Sequence, residues 1–147
     1  MAFDHYQVSL KAIIRRADGC VLALKGRVGG SYEGYYDLPG GRIEDTEFKT
    51  PFQSIIRREV REELGADLQI ELSDMPVAVG RHRSRDGVSV LYVFFEAVVD
   101  NPNVSLKISD EHTGISWLDL STTPLETVFL SGILEGMKQW YTARHET

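Results

Sequence analysis

The segment from Arg58 to Gly65 constrains this chain most, because its charges are arranged unfavourably for a purely structural helix. Glu59 and Glu63 are four residues apart, and like charges at that spacing repel each other on a helix. Together with Glu62 they fall within an arc of roughly 100° on the side that also carries apolar residues. Unpaired charge beside the interior is costly. A divalent cation held by oxygen ligands is the natural compensation, so the segment indicates a metal-binding helix.

The sequence around this segment predicts where the helix begins and ends. Thr50 is a favourable N-cap, Pro51 suits the first helical position, and Gln53 completes a capping box. Gly65 is a typical C-terminal stop, so we predict a helix from Pro51 to Leu64. An apolar stripe at i, i+4 spacing supports this prediction: Phe52, Ile56, Val60 and Leu64.

The remaining elements are predicted from apolar runs separated by turn residues. Strands are expected at 6–15, 20–25, 35–38, 68–72, 77–83, 88–99 and 115–118, with 104–108 as a possible extension of the sheet. The turns at 17–19 and 85–87 predict hairpins, and Pro39-Gly40-Gly41 predicts a further turn. Pro124 is expected to open a C-terminal helix whose apolar positions continue to Tyr141. The pattern predicts an α/β (α+β) fold in which helices sandwich a mixed sheet.

Size and charge narrow the classes of function. A chain of 147 residues suits one domain, which we place at residues 1–147. The net charge of −6 argues against general nucleic-acid binding. No N-terminal signal pattern or membrane-length apolar run is evident, so a cytoplasmic protein without membrane contacts is expected. A homodimer is left open.

Glycine, glutamate and arginine recur at spacings that match a known signature. Gly41 is followed by five residues, then Glu47, then ten residues, and then the run from Arg58 to Ala66. This pattern, with its lead-in Leu38-Pro39-Gly40-Gly41, resembles the Nudix box of the Nudix hydrolases. The gap before Arg58 is three residues longer than the family's pattern, which leaves the role of Glu47 open. Ala66 stands where a larger aliphatic residue is usual.

The resemblance implies a Nudix fold and hydrolysis of a pyrophosphate bond in a nucleoside diphosphate linked to a further group. It implies Mg²⁺ or Mn²⁺, held by the carboxylates of Glu59, Glu62 and Glu63 and by the carbonyl of Gly40. Arg58 is expected to orient the glutamates. Such a cation polarises the phosphoryl group and lowers the pKa of a water molecule.

Further residues are assigned from the family's pattern and from local chemistry. The family often places an additional carboxylate in a loop, and here Glu111 is expected to bind metal or to accept a proton from water. Asp110 and His112 are weaker alternatives in the same loop. Substrate contacts are expected from four further side chains: Arg42, Tyr36, Arg27 and Arg81. Core packing for Tyr36 and simple exposure for Arg81 are the alternatives.

The substrate stays open at this point. Nucleoside triphosphates, oxidised nucleotides, ADP-ribose, sugar nucleotides and dinucleoside polyphosphates all fit the resemblance, with a preference for a triphosphate or a small nucleotide derivative. The alternative function is a non-catalytic Nudix-fold module that binds or senses a nucleotide. The three intact glutamates favour the hydrolase, because a binding module has no need of them.

Overall fold

A computed structural model describes residues 1–145 of the chain. Within these residues, eight strands form one mixed sheet: β1 (Gln7–Arg15), β2 (Val21–Lys25), β3 (Tyr36–Asp37), β4 (Gly40–Arg42), β5 (Ile70–Leu72), β6 (Ala78–Arg83), β7 (Ser89–Val99) and β8 (Ile115–Leu118). The α-helices are α1 (Phe52–Leu64), α2 (Leu125–Val128) and α3 (Ser131–His145), and a short 3₁₀ helix spans Asp45–Glu47.

Strand pairing places β1 at the centre of the sheet. The main path runs β3-β2-β1-β7-β5, while β4 pairs with β1, β6 with β7 and β8 with β2. The β1 and β7 strands are parallel from Gln7 opposite Val90 to Arg15 opposite Val98, and the other pairs are antiparallel. The two predicted hairpins, β1–β2 and β6–β7, are confirmed.

Two hydrophobic clusters lie on opposite faces of the sheet. Alternation along β1 sends Leu10, Ala12 and Ile14 to the cluster that contains Ile56, Val60 and Leu64 of α1. Phe52, the first residue of the predicted stripe, is instead 42% exposed. Ile13 belongs to the cluster that contains Phe129 and the apolar face of α3. The predicted sheet sandwiched between helices is therefore confirmed.

Glycine permits the close packing of α3. A Cβ atom at Gly136 would collide with the ring of Phe94 on β7. A Cβ atom at Gly80 on β6 would collide with the carbonyl of Gly132. Larger residues at these positions would push the helix away from the sheet.

The start of α1 differs from the prediction. The helix begins at Phe52, Pro51 occupies the cap position, and no side chain caps it. Gln53 instead donates a hydrogen bond from Nε2 to the carbonyl of Asp74 at 3.0 Å. Reciprocal capping occurs earlier, between Glu44 and Glu47, around the 3₁₀ helix that the sequence did not predict.

Three other predictions are corrected. Gly40–Arg42 is a strand rather than part of a turn, because the backbone after Pro39 pairs with β1. Residues 104–108 form no strand; the Lys107 amide instead donates to the carbonyl of Leu64 at 3.0 Å. The C-terminal helix is broken into α2 and α3 at Phe129, whose backbone is extended and whose side chain is fully buried.

Candidate functional site

Glu63 is the most buried acidic side chain of α1. It is 3% exposed, and its Oε1 accepts a hydrogen bond from the amide of Gly40 at 2.7 Å. Burial raises the pKa of Glu63 to about 8, although the charge of Lys11 and the Gly40 amide both oppose the shift. The positive charge near Glu63 therefore does not offset the cost of burying its carboxylate.

Glu59 lies one helical turn earlier, against the backbone of β4. A Cβ atom at Gly41 would lie 2.6 Å from the carboxyl carbon of Glu59, so only glycine leaves room for this side chain. Burial raises the pKa of Glu59; the charges of Glu62 and Glu111 add to the increase, and Arg58 opposes it. The Pro39-Gly40-Gly41 segment thus binds Glu63 through the backbone amide of Gly40. It leaves space for Glu59 because Gly41 has no side chain.

Arg58 contacts three acidic side chains of this region. Its guanidinium lies 2.9 Å from Glu47, 3.3 Å from Glu59 and 3.2 Å from Glu62. Glu47 also accepts the amide of Glu44 at 3.0 Å. The three additional residues before α1 are therefore accommodated next to the 3₁₀ helix, and Glu47 keeps a contact with the arginine of the box.

The loop before β8 adds two donors to the site. Glu63, Glu111 and His112 each offer one ligand atom, and these atoms lie within 4.8 Å of one another. Nδ1 of His112 is 3.6 Å from Oε2 of Glu63, a separation that exceeds a hydrogen bond. The tertiary structure thus brings Glu111 to the acidic edge of α1.

A cavity of about 350 Å³ opens beside these carboxylates. Five of its lining residues were predicted as site residues: Arg27, Gly40, Arg42, Glu63 and Glu111. The cavity is also lined by His112, which the sequence offered as an alternative to Glu111. Lining residues without a predicted site role include Lys11, Asp37, His82 and Tyr92. Positive and negative groups therefore share one concave surface, an arrangement suited to a metal ion and an anionic ligand.

Lys11 is a lysine buried in the middle of β1 at this cavity. Its Nζ donates to Asp37 and to the carbonyl of Leu38, both at 3.2 Å. Burial lowers the pKa of Lys11, but the charges of Asp37 and Glu63 outweigh burial and raise it overall. A lysine between the apolar residues Leu10 and Ala12 was the signal available in the sequence, since an unpaired charge would not be tolerated in a buried strand.

His82 is held at the same cavity by aromatic and polar neighbours. Its Nδ1 lies 2.8 Å from the hydroxyl of Ser131, and its ring centroid is 5.1 Å from that of Tyr32 and 6.3 Å from that of Tyr92. The alternation of β6 sends Gly80 and His82 inward.

Two predicted substrate contacts lie away from the cavity. Arg81 follows the opposite alternation from His82 and is exposed on the other side of β6. The hydroxyl of Tyr36 lies 3.3 Å from that of Ser116, and the next residue, Asp37, lines the cavity instead. The geometry therefore gives no support to substrate contacts by Tyr36 or Arg81.

Most of the chain matches a known family of proteins. Residues 5–133 match the family model of the NUDIX domain. The chain belongs to the NUDIX family. It is a Nudix hydrolase, an enzyme that cleaves a pyrophosphate bond in a nucleoside diphosphate linked to a further group. Enzymes of this family act on small nucleotides and generally require a divalent metal ion.

Individual relatives of this Nudix chain agree with the family match. Nucleoside triphosphatase NudI of Salmonella schwarzengrund is 29% identical, over 80% of this chain and 91% of that protein. The MutT protein of Methanosarcina mazei Go1 has the same fold, with a TM-score of 0.76, 21% identity, and coverage of 99% of this chain and 100% of that one. The NUDIX domain of Shewanella oneidensis NrtR, solved with ADP ribose, has a TM-score of 0.67, 18% identity, and coverage of 97% and 88%.

Within residues 1–145, no helix is both long and apolar enough to cross a membrane.

Proposed function

We propose that this chain hydrolyses a nucleoside triphosphate or a small nucleotide derivative, with Mg²⁺ or Mn²⁺ at Glu59, Glu62, Glu63 and the carbonyl of Gly40. The observation that carries the proposal is that Glu63 and Glu111 line the same cavity as several positively charged side chains. Those side chains are Lys11, Arg27 and Arg42. A polyphosphate and the cation that accompanies it need these two kinds of group side by side.

The donor set fits a divalent cation. Glu59 and Glu63 both carry a raised pKa, with burial as its largest cause, so a positive charge between them would be stabilising. The Nδ1 atom of His112 is buried without a hydrogen-bond partner among residues 1–145, and it lies 3.6 Å from Oε2 of Glu63. A bound cation would polarise the phosphoryl group and lower the pKa of an attacking water.

The chain's own residues have separable roles in this proposal. Arg27, Arg42 and Lys11 bind phosphate oxygens of the substrate. Glu111 accepts a proton from water as the water oxygen bonds to phosphorus and the bridging phosphorus–oxygen bond breaks. Arg58 does not touch the substrate; through its ion pairs it positions the glutamates of α1.

The relatives and the cavity guide the choice of substrate. NudI is named as a nucleoside triphosphatase, which supports the triphosphate class for this chain. The cavity of about 350 Å³ is near the lower end of the range for small-molecule sites, about 300–1,000 Å³. The ADP ribose bound by the NrtR domain keeps that compound among the ligands to be tested.

The test is release of phosphate and pyrophosphate from a panel of substrates. The panel contains nucleoside triphosphates, oxidised nucleotides, ADP-ribose, sugar nucleotides and dinucleoside polyphosphates, each with Mg²⁺, with Mn²⁺ and with a chelator. We expect metal-dependent release that is greatest for triphosphates. A folded Glu62→Gln, Glu63→Gln double variant should bind the nucleotide but release nothing. If this variant turned over as fast as the wild type, the proposed site would be wrong.

A separate outcome would identify a non-catalytic module. Nucleotide binding without release from any compound, in the presence of either metal, would favour a binding or sensing role.

We also propose that residues 1–147 form one domain and that the protein is cytoplasmic. Whether it forms a homodimer is tested by light scattering. Limited proteolysis and cell fractionation test the first two statements.

A further inference from the structure

His112 has no role in the hydrolysis described above, yet it belongs to the donor cluster with Glu63 and Glu111. Its side chain is only 11% exposed, and its Nδ1 atom has no hydrogen-bond partner among residues 1–145. The nearest anionic atom is Oε2 of Glu63, at 3.6 Å. Buried imidazole nitrogens are normally satisfied, so this one requires an explanation.

A direct ion pair with Glu63 does not provide that explanation. The 3.6 Å separation is too long for a charge-assisted hydrogen bond, which typically measures about 2.7–2.9 Å. The separation instead suits two ligand atoms that bind a common third atom between them. Glu111 provides a further oxygen within the 4.8 Å span of the cluster. Two carboxylate oxygens and one imidazole nitrogen are therefore close enough to one another to share a cation.

We propose that Nδ1 of His112 is a direct ligand of the divalent cation, together with Glu63 and Glu111, and that it shifts metal preference from Mg²⁺ towards Mn²⁺. The inference rests on the proposed function, because it assigns a further ligand to the same cation. Each residue contributes one ligand atom, so the second carboxylate oxygen of Glu111 stays available to accept a proton.

The expected preference follows from ligand chemistry. Mg²⁺ is a hard cation that favours oxygen ligands and retains its water molecules. Imidazole nitrogen is a softer ligand that favours transition metals. A nitrogen in the first coordination sphere should therefore strengthen Mn²⁺ binding more than Mg²⁺ binding. His112→Gln should weaken Mn²⁺ binding by about tenfold or more, with a smaller change for Mg²⁺.

The decisive readout is the pulsed electron paramagnetic resonance spectrum of the Mn²⁺-loaded protein. A directly bound imidazole produces ¹⁴N modulation, so we expect that signal in the wild type and not in His112→Gln. The matched control is His82→Gln, which removes the other histidine that lines the cavity and should keep the signal. Calorimetric titration with Mn²⁺ and Mg²⁺ measures the two affinities for each protein.

The outcomes separate this inference from the proposed function. Mn²⁺-loaded wild type without ¹⁴N modulation would overturn the histidine ligand, whether or not any variant folds. A signal that survives in His112→Gln but disappears in His82→Gln would also overturn it. In both cases metal-dependent hydrolysis would leave the proposed function intact, whereas failure of hydrolysis with either metal would count against that function.

Discussion

The amide nitrogen of Gly40 lies 2.7 Å from Oε1 of Glu63, so a strand residue binds the most buried glutamate of α1. This hydrogen bond joins the lead-in of the Nudix box to the last turn of its helix, across 23 residues. The helix alone would leave Glu63 to solvent or to repulsion from Glu59. The Gly40 amide keeps it at the cavity, where it faces the loop that carries Glu111 and His112.

Glu63→Gln should raise stability in the absence of metal and abolish activity. The amide removes a negative charge that burial disfavours, so we expect a gain of about 1 kcal/mol, or about 2–4 °C in Tm. The variant should lose the Mn²⁺-induced rise in Tm and at least about a hundredfold in turnover. Scanning fluorimetry with chelator and with Mn²⁺ measures both effects. A metal-free variant less stable than the wild type would contradict this explanation.

Glu111→Gln should reduce kcat at saturating metal by about 10²–10⁴-fold, the usual contribution of a general base. Its KM for the nucleotide should change little, because Glu111 accepts a proton and does not bind phosphate. Asp110→Asn is the matched control, since it alters the adjacent acidic residue of the same loop, and it should behave like the wild type. Steady-state kinetics measure kcat and KM for both variants. Equal losses of kcat in the two would show that disturbance of the loop, rather than loss of the general base, reduces activity.

Gly41→Ala should inactivate the enzyme while leaving it folded. The new Cβ would lie 2.6 Å from the carboxyl carbon of Glu59, so this flexible side chain must leave its place. Gly136→Ala provides the contrast, because its Cβ would meet the ring of Phe94 in the core. We expect loss of metal affinity in the first variant and loss of about 1–3 kcal/mol of stability in the second. Calorimetry measures metal affinity and urea unfolding measures stability in both variants. Normal metal affinity in Gly41→Ala would show that Gly41 is not needed to position Glu59.

Lys11→Met should be strongly destabilising. It leaves Asp37 without its ion-pair partner at 3.1 Å, and loss of one member of a buried pair costs about 3–5 kcal/mol. Adding Asp37→Asn should recover part of that loss, since it removes the unpaired charge. Urea unfolding of the two single variants and the double variant measures the coupling. Lys25→Met, at an exposed lysine of β2, should change stability by less than about 0.5 kcal/mol.

His82 should make stability depend on pH. Burial, assisted by the charge of Arg42, lowers the pKa of His82 below its ordinary value of 6.5, and Asp37 opposes the shift. The unfolded chain then binds the proton more readily than the folded one. The stabilising contribution of neutral His82 to the free energy of unfolding is therefore present above pH 6.5. It is lost as the pH falls through the lowered pKa of His82.

His82→Gln tests this dependence. The stability advantage of the wild type over the variant should shrink between pH 7.5 and pH 5.5 in urea unfolding. His5→Gln, at an exposed histidine, is the control and should show no such change. If the stability advantage of the wild type instead grew as the pH fell, the pKa of His82 would be raised rather than lowered on folding, and the explanation would be wrong.

Local pattern was sufficient for much of the fold. The apolar stripe of α1 and the glycine after it placed that helix to within a residue of its observed bounds. Turn residues placed both hairpins. The pattern failed at Phe129. This residue fits the helical spacing of the apolar residues around it, but its backbone is extended and interrupts the helix.

The sequence by itself determined the acidic edge of α1, the glycines beside it and the family, because these depend on spacing within one short segment. Only the tertiary structure decided which distant residues join that edge. Lys11 is brought there by β1, His82 by the alternation of β6, and Glu111 with His112 by the loop before β8. Such contacts depend on strand order and register, which a single sequence does not encode in any local pattern.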